Sequence, residues 1–333
     1  MLPTYVDKEG AIVLGPVCVD GHVDKCVVRV VTHIHQDHLI NLDKSIRVCR
    51  KVVATIITHE LLEELGFSIP KKKRIALNYG EELDEVCDGV SIRLEYAHHI
   101  PGSAQVVVET ENATYAYSGD FKGVGDKTKP PAGVDVLVVD ATYGDPSYKR
   151  PPEEVVLDQF VKLLRTLLTQ GPVVVYAYYG KAQEVMALLR DYGVDAPFIA
   201  SPRHWRIAKR LEKYGFAVSD LLLEGTREAL EVARDGWFIK FEHFSKIRAS
   251  HPLNGVSHVI LSGWLFDAPI RCVGRNKWIV AFSDHADFDE LVHYIELARP
   301  RIVVVDSFRG GFVAKRFASY VRNVLRIDAI PSP

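Results

Sequence analysis

The sequence predicts an α/β protein of two domains, and the order of strand-like and helical segments along its 333 residues carries this prediction. Short strand-like runs fill residues 1–145, and four of them end in histidine or aspartate. Residues 146–274 then alternate helical and strand-like periods, which is typical of a parallel sheet covered by helices. Polar residues after a strand return in residues 275–333. We therefore expect residues 1–145 and 275–333 to form one domain, interrupted by the segment 146–274.

The composition is that of a globular protein, with 47% apolar and 25% charged residues. A net charge of −2 excludes a polybasic protein that coats nucleic acid, so any polyanion must bind in a local groove with the help of metal. No stretch is long and apolar enough to span a membrane. The five cysteines lack the paired spacing of a disulfide-rich secreted protein, and they are Cys18, Cys26, Cys49, Cys87 and Cys272. These features predict a cytoplasmic protein with no membrane partner.

Metal-ligating side chains are concentrated directly after the strand-like run 26–31. His33, His35, Asp37 and His38 fall within six positions, in the spacing His-x-His-x-Asp-His. Neutral imidazole and ionised carboxylate are ligand types that Zn²⁺ and similar ions prefer. Four donors packed this closely do not fit easily around one ion. A turn would instead split them, with His33 and His35 facing one ion and Asp37 and His38 facing a second.

Later strand ends offer further ligands. His98 and His99 lie in a tight loop between two strands, where the pair offers a third histidine to the first ion. Asp120 follows a short strand after a glycine, and a carboxylate there is well placed to bridge two ions through its two oxygens. Asp140 ends a nearly continuous apolar run that predicts a buried strand. The repeated placement of polar residues at strand ends indicates one shared site.

Asp20 ends the strand predicted from Ala11 to Val19 and precedes Gly21. A carboxylate at this position is a candidate hydrogen-bond partner behind a ligating histidine. An ordinary Asp-Gly turn explains the same residues, and the sequence leaves both interpretations open.

Together these residues resemble the metallo-β-lactamase superfamily, through the motif at 33–38, the histidine loop at His99, Gly119-Asp120 and the early Asp20. The stretches 140–144 (Asp-Ala-Thr-Tyr-Gly) and 282–287 (Phe-Ser-Asp-His-Ala-Asp) resemble its β-CASP branch, which contains nucleases related to Artemis, RNase J and the cleavage and polyadenylation endonuclease. Residues 180–184 and 261–264 resemble the short members known as ligase-associated DNA exonucleases. The resemblance runs from about residue 11 to residue 306.

The resemblance implies an αββα sandwich of two mixed sheets, with an α/β β-CASP cap domain as the insertion. It implies two divalent ions, Zn²⁺ or alternatively Mn²⁺, at the strand ends. His33, His35 and His99 would hold the first ion, Asp37 and His38 the second, and Asp120 would bridge them. His99 is preferred because family members place the ligand three residues before the glycine, here Gly102, although His98 would fit after a slip of one residue.

The resemblance also implies the catalytic residues Asp37, Asp140 and His285. In the β-CASP branch the acidic residue, here Asp140, holds the histidine that protonates the leaving oxygen. A helix predicted from Asp287 to Ala298 follows His285, with Ser283 or Asp284 as its cap.

One feature departs from the pattern of many RNA-processing members, which carry a further histidine at the end of the last core strand. Here the strand predicted from Arg301 to Val305 stops at Asp306, and the final helix is predicted from about Gly311 to Leu325. Asp306 is a candidate ligand in place of the histidine, and a weak second metal site is the alternative. Members of the Artemis group, which act on DNA, also lack that histidine.

Substrate contacts are predicted from cations placed beside aromatic residues. Arg203, Trp205 and Arg206 lie on one predicted helix, a set that suits base stacking and phosphate pairing on a single strand. A solvated helix face is the alternative. Arg309 lies near the start of the last helix, where backbone amides hold phosphates, and Ser262 is placed between cap and sandwich.

These features predict a metal-dependent nuclease whose partner is a single-stranded region of nucleic acid. A DNA exonuclease acting in DNA repair is the first interpretation, and an RNA-processing exonuclease or endonuclease of the mRNA 3′-end type is the alternative. Small-molecule metallo-hydrolases have the metal motif but lack counterparts of Asp140 and His285. Non-catalytic scaffold subunits have usually lost metal ligands that this chain keeps. The sequence leaves open the polarity of digestion, the metal and the oligomeric state.

Overall fold

The computed structural model describes residues 3–87, 89–249 and 255–332. The chain divides into two compact units, the first formed by Met1–Tyr148 with Asp284–Pro333 and the second by Lys149–Ser283. The sequence placed the second boundary earlier, at residue 274. The boundary lies later because the strand Lys277–Val280 pairs in parallel with Ser257–Leu261 inside the inserted unit. Among the described residues no helix has the length and apolar character needed to cross a membrane.

One sheet of the first unit follows the chain order of its strands, with antiparallel pairs followed by parallel pairs. Its strands are Thr4–Val6, Ile12–Leu14, Val17–Val19, Val28–Val30, Lys51–Thr55 and Arg74–Leu77. The single strand predicted from Ala11 to Val19 is therefore a hairpin. It turns at Gly15, whose φ of 61° suits glycine, and at Pro16, whose nitrogen has no hydrogen to donate to a ladder.

The second sheet of this unit is mixed and draws on both ends of the chain. In spatial order its strands are Asp328–Ser332, Ile302–Asp306, Val136–Val139, Ala113–Tyr117, Ala104–Thr110, Val90–Tyr96 and Glu82–Cys87. The two sheets share a core in which Val30 and Val53 of the first sheet pack with Val106 and Tyr115 of the second. The predicted sandwich of two sheets is confirmed.

Helices cover the outer faces of the sandwich, which completes the αββα order. They are Leu42–Val48, Ile56–Glu64, Phe288–Ala298 and Ser307–Tyr320, with single turns at Gln36–His38 and Val321–Leu325. The strand Val136–Val139 contributes to two hydrophobic cores, one on each face of the sheet, because its side chains alternate between the faces. Val136 and Val138 point into the sandwich, whereas Leu137 and Val139 pack against the helices formed by residues 288–298 and 307–320.

The second unit is a parallel sheet with helices, as the alternation of segments predicted. Its strands in spatial order are Leu221–Leu223, Phe198–Ala200, Ile239–His243, Val173–Ala177, Ser257–Leu261, Lys277–Val280 and the antiparallel edge strand Ile270–Gly274. Its helices are Glu153–Leu168, Lys181–Asp191, Pro202–Leu211 and Arg227–Asp235, with short 3₁₀ turns at Glu212–Tyr214 and Phe244–Ala249. Phe160, Met186, Phe198 and Phe241 lie in one core.

Candidate metal centre

The first unit brings the predicted ligands together at the ends of its strands. The segment 33–38 follows Val28–Val30, His99 follows Val90–Tyr96, and Asp120 follows Ala113–Tyr117. The turn before Asp120 requires glycine, because Gly119 has a φ of 58° and a Cβ there would lie 2.7 Å from the carbonyl oxygen of Ala104. This turn directs the carboxylate of Asp120 into the site.

Four imidazole nitrogens converge on one carboxylate oxygen. Oδ2 of the buried Asp120 lies 3.2 Å from Nε2 of His38, 3.5 Å from that of His33 and 3.6 Å from that of His99. Nε2 of His285 lies 3.7 Å from the same oxygen. Zn–N bonds of about 2.0–2.1 Å at tetrahedral angles hold donor atoms roughly 3.3 Å apart. The separations therefore match donors arranged around ions.

Several buried polar atoms of this cluster lack the partners that a closed protein interior would supply. Nε2 of His33, Nε2 of His38 and Oδ1 of Asp120 have no hydrogen-bond partner among the described residues. An unpaired buried polar group costs about 1–3 kcal/mol, so three in one place fit residues that bind a ligand. His33, His35, His99 and Asp120 each offer one donor atom within 4.8 Å of the others, which fits a divalent cation.

Asp20 orients two of these imidazoles through a chain of hydrogen bonds. Nδ1 of His38 donates to Asp20 Oδ2 at 2.7 Å, and the Thr32 hydroxyl donates to the same oxygen at 2.5 Å. Thr32 in turn accepts from Nδ1 of His33 at 2.9 Å. Both histidines therefore present Nε2 to the cluster, as ligating histidines commonly do when a carboxylate lies behind them. The interpretation of Asp20 as a partner of a ligating histidine agrees with this geometry, and the residue also forms a turn, with φ of 55°.

His99, rather than its neighbour His98, lies in the cluster. Nε2 of His99 is 3.0 Å from Nδ1 of His35, and Nδ1 of His99 donates to the carbonyl oxygen of Asp284 at 2.7 Å. The His98 ring instead lies 3.2 Å from the hydroxyl of Tyr96, measured from Nδ1. The two histidines lie in the bend that follows the strand Val90–Tyr96, and their rings face different surroundings.

Asp37 and His38 lie side by side on the 3₁₀ turn Gln36–His38. Oδ2 of Asp37 is 3.5 Å from Nε2 of His38, and the Asp37 side chain is 56% exposed whereas His38 is fully buried. The pair faces Asp120 through His38. Nε2 of His38 thus lies within 3.5 Å of two carboxylates, those of Asp37 and Asp120.

His285 and Asp140 form a pair at the edge of the donor set. Nδ1 of His285 lies 3.6 Å from Oδ2 of Asp140, and its other nitrogen faces Asp120. Asp140 is held by Thr142, whose backbone amide and hydroxyl donate to Oδ1 at 3.1 and 2.8 Å. The His285 side chain keeps 21% of its surface exposed, so a substrate atom can reach it.

The electrostatics favour neutral imidazoles at His33, His35 and His99, an ionised carboxylate at Asp120, and a protonated ring at His38. Burial lowers the pKa of His33 and His35 and brings that of His99 to about 3, which keeps these rings neutral near pH 7. Burial opposes ionisation of Asp120 as well, but the adjacent His38 holds its pKa well below the usual range. The pKa of His38 itself rises to about 10, since the carboxylate of Asp120 outweighs its burial. Binding of a cation at His38 must therefore displace a proton.

Residues 27–161 match the family model of the metallo-beta-lactamase superfamily. The "Uncharacterized protein in lig 3'region" of Acidianus ambivalens is 40% identical over 142 residues, which are 42% of this chain and 99% of that protein. The chain belongs to the metallo-β-lactamase superfamily. Members of the superfamily bind divalent metal ions, and the His/Asp cluster of this chain fits that chemistry.

Longer relatives place the chain in the β-CASP branch of the superfamily. The "DNA cross-link repair protein SNM1" of Arabidopsis thaliana is 27% identical over 324 residues, covering 87% of this chain and 63% of that protein. The "Probable RNase MJ4" of Methanocaldococcus jannaschii is 27% identical over 301 residues, covering 74% of this chain and 67% of that protein. The chain thus spans less than two thirds of the length of SNM1.

Asp306 does not take part in the cluster around Asp120, although its strand belongs to the same sheet. It is fully buried and caps the helix Ser307–Tyr320, where Oδ1 accepts from the amides of Phe308 and Arg309 at 2.8 and 3.2 Å. Its other oxygen accepts from Nη1 of Arg309 at 2.7 Å. The carboxylate that was predicted as a ligand is thus directed to the helix and to Arg309.

Arg309 is likewise directed inward. Its side chain is 3% exposed, and Nη2 donates to the carbonyl oxygens of Asp37 at 2.9 Å and Gly10 at 3.2 Å. The predicted contact with a substrate phosphate does not agree with this burial. Arg309 instead fixes the backbone of the turn that carries Asp37.

The other predicted substrate contacts lie in the inserted unit. Arg203 and Arg206 are exposed on the helix Pro202–Leu211, and the guanidinium of Arg203 lies 5.8 Å from the ring centroid of Tyr179. Trp205 is half-buried against the core of that unit. Ser262 is half-buried and accepts from the amide of Trp264 at 3.2 Å.

Two groups that contribute to the site were not predicted from the sequence. Thr32 connects Asp20 to His33, and its position directly before the ligand motif was the available signal. The carbonyl oxygen of Asp284 holds His99, and a backbone atom far along the chain leaves no signal in the residue pattern.

Proposed function

We propose that this protein is a metal-dependent nuclease that hydrolyses phosphodiester bonds in single-stranded nucleic acid. The observation that supports this most is the pair of His285 and Asp140, which adjoins the metal ligands without being needed to complete either donor set. A hydrolase with a good leaving group has little use for such a pair. A nuclease expels an alkoxide-like oxygen, which needs a proton.

In this proposal His33, His35, His99 and Asp120 hold one ion, and Asp37, His38 and Asp120 hold a second. Zn²⁺ suits these nitrogen and oxygen donors, and Mn²⁺ is the alternative. Divalent ions held by these residues would lower the pKa of a water molecule and offset the charge on phosphoryl oxygens. Asp20 and Thr32 keep His38 and His33 in the ligating orientation.

His285 supplies the proton to the leaving oxygen. Burial disfavours its charged form, but the carboxylates of Asp120 and Asp140 raise its pKa to about 9, so the imidazolium is populated near neutral pH. Beside bound cations the imidazolium is less favoured, and its pKa falls towards neutrality, where general acids work best. Asp140, itself fixed by Thr142, faces Nδ1 of the ring at 3.6 Å and so directs Nε2 towards the substrate.

We propose DNA as the first substrate and RNA as the alternative. The relative that covers more of this chain is named as a DNA cross-link repair protein, and another is named as a probable RNase. The last core strand ends in Asp306, at the position where many RNA-processing members have a histidine. This absence favours an exonuclease of DNA repair over the mRNA 3′-end type.

Digestion of matched, end-labelled DNA and RNA strands with Zn²⁺ or Mn²⁺ tests the proposal. We expect metal-dependent cleavage that a chelator abolishes, with DNA cut faster than RNA. Asp120→Asn should lose cleavage because the shared ligand is weakened, whereas Asp126→Asn, on the exposed loop that follows, should retain it. If the wild type cleaves neither strand under any metal or temperature condition, the nuclease proposal is wrong.

A further inference from the structure

A second group of metal-ligating side chains lies in the first unit, apart from the cluster around Asp120. Cys18 belongs to the strand Val17–Val19, His22 and Cys26 lie in the loop that follows it, and Cys49 comes directly after the helix Leu42–Val48. Their exposures are 0%, 3%, 7% and 1%. Residues from three parts of the chain thus meet in the interior, and the three thiols pack together.

The donor atoms of this group are spaced like the ligands of one ion. His22, Cys26 and Cys49 each offer one atom within 4.8 Å of the others, and Nδ1 of His22 lies 3.9 Å from Sγ of Cys49. Cys18 packs with Cys26 and Cys49 in one buried cluster, which places a fourth donor beside the three. Tetrahedral zinc with bonds of about 2.3 Å to sulfur and 2.0–2.1 Å to nitrogen holds its donors roughly 3.3–3.8 Å apart.

The protein supplies few other partners for these donors. The Cys26 thiol contacts the carbonyl oxygen of Val28 at 3.2 Å, and the Cys49 thiol contacts that of Cys26 at 3.5 Å. Nδ1 of His22, the nitrogen that faces Cys49, also lies 3.0 Å from the Ser45 hydroxyl.

A buried positive charge, that of Arg29, lies next to the cysteine group, since Arg29 pairs with Cys18 across two neighbouring strands. Arg29 is fully buried, and its guanidinium donates to the backbone carbonyls of His38 and Ile40 at 2.9 and 3.3 Å, whereas its Nε has no hydrogen-bond partner in the described part of the chain. Burial disfavours the charged form of Arg29, and the carboxylate of Asp20 compensates for only part of this cost. Three thiolates, one imidazole and one divalent cation carry a net charge of −1, which would offset Arg29.

We propose that Cys18, His22, Cys26 and Cys49 form a separate, structural metal site that takes a thiophilic divalent ion, Zn²⁺ in the first place. Three sulfurs and one nitrogen fill a tetrahedral shell and leave no position for a substrate, which is typical of structural zinc. The ion would fix the loop from residue 20 to residue 27. Asp20 at the start of this loop holds His38 and Thr32, so the structural site supports the orientation of the other centre.

The test separates the two sites by the elements around the metal. The centre around Asp120 contains only nitrogen and oxygen donors, so any sulfur bound to zinc must come from the cysteine group. In the double variant His33→Ala, Asp120→Ala we expect one zinc ion per chain, with X-ray absorption showing sulfur neighbours at about 2.3 Å. Adding Cys49→Ser should reduce this zinc content several-fold, whereas Cys272→Ser, which changes an exposed cysteine, should leave it unchanged.

If the variants do not fold, the wild type still provides a test. The X-ray absorption spectrum of the zinc-loaded wild-type protein shows whether sulfur is bound to zinc. Zinc with only nitrogen and oxygen neighbours would overturn the proposal. So would an intact mass lower by two hydrogen atoms under non-reducing conditions, since a disulfide would then consume two of the ligands. Neither result bears on the nuclease proposal, which depends on cleavage.

Discussion

Replacing His285 by alanine tests the proposed proton donor while sparing the metal ligands. Its Nε2 lies 3.7 Å from Asp120 and its Nδ1 lies 3.6 Å from Asp140, so the ring links the donor set to a carboxylate outside it. General acid catalysis contributes about 10²- to 10⁴-fold. Each tenfold corresponds to about 1.4 kcal/mol of activation free energy, so the variant should lose roughly 2.7–5.4 kcal/mol of transition-state stabilisation.

The assay is single-turnover cleavage of end-labelled single-stranded DNA, with metal content and thermal melting measured on the same samples. His285→Ala should keep its metal and its melting temperature and lose the stated factor in rate. Asp140→Asn should lose a similar or smaller factor, because the ring loses its orienting charge. His293→Gln is the matched control, since this histidine is half-exposed on the following helix and faces Glu296.

A substrate with sulfur as the leaving atom sharpens the test, because a thiolate departs without a proton. The defect of His285→Ala should largely disappear on this substrate. The pH profile offers a second reading: the wild-type rate should fall as pH rises through the pKa of His285, since the acid form is then lost, and this limb should be absent in the variant. Cleavage of ordinary DNA by His285→Ala at the wild-type rate would refute the role.

Further predictions concern metal binding and stability. His33→Ala should lower the metal content of the His/Asp centre, measured by elemental analysis, because one ion loses a ligand. Asp306→Ala should lower the free energy of unfolding by about 3–5 kcal/mol, since it removes the buried carboxylate that pairs with Nη1 of Arg309. The variant should keep its metal content, and a loss of metal with unchanged stability would instead make Asp306 a ligand. Burial lowers the pKa of His59 from 6.5 to about 4, although its Nε2 donates to the carbonyl oxygen of Ile75. The unfolded chain therefore takes up this proton first as pH falls from 6.5 to 4, and up to about 3 kcal/mol of stability should be lost in that window. Urea unfolding at pH 7 and pH 4.5 measures this loss, which should be smaller in His59→Gln, and equal losses would contradict it.

Much of the centre was predictable because each ligand follows a strand end that the residue pattern marks. His33, His35, Asp120 and Asp140 needed only that pattern and the rule that strand ends of one sheet edge lie together. The choice of His99 over His98 rested on the family spacing, and it agrees with the contacts of the two rings in the structure, where His99 lies against His35 and His98 against Tyr96. The partner of His38 was left open, because a short local pattern does not show a contact over 18 residues.

Other features depend on long-range packing and could not be predicted. The group of Cys18, Cys26 and Cys49 has no paired spacing in the sequence, and it forms when Val17–Val19 pairs in parallel with Val28–Val30. The last helix was predicted to begin at Gly311, since glycines usually break helices. It begins at Ser307 because Asp306 caps it, and Gly311 absorbs a local kink at φ of 55°. The cap of the helix after His285 is Asp287, whose carboxylate accepts from the amides at 289 and 290, and not Ser283 or Asp284.

The central claim is that the His/Asp centre hydrolyses phosphodiester bonds only when it holds metal. Zinc or manganese titrated into chelator-treated protein, with bound metal and DNA cleavage followed in the same samples, tests this most directly. We predict no cleavage without metal, and a rate that rises as the centre fills and stays near zero in His33→Ala. Cleavage by the metal-free wild type, or none by the fully loaded protein on either DNA or RNA, would contradict the account.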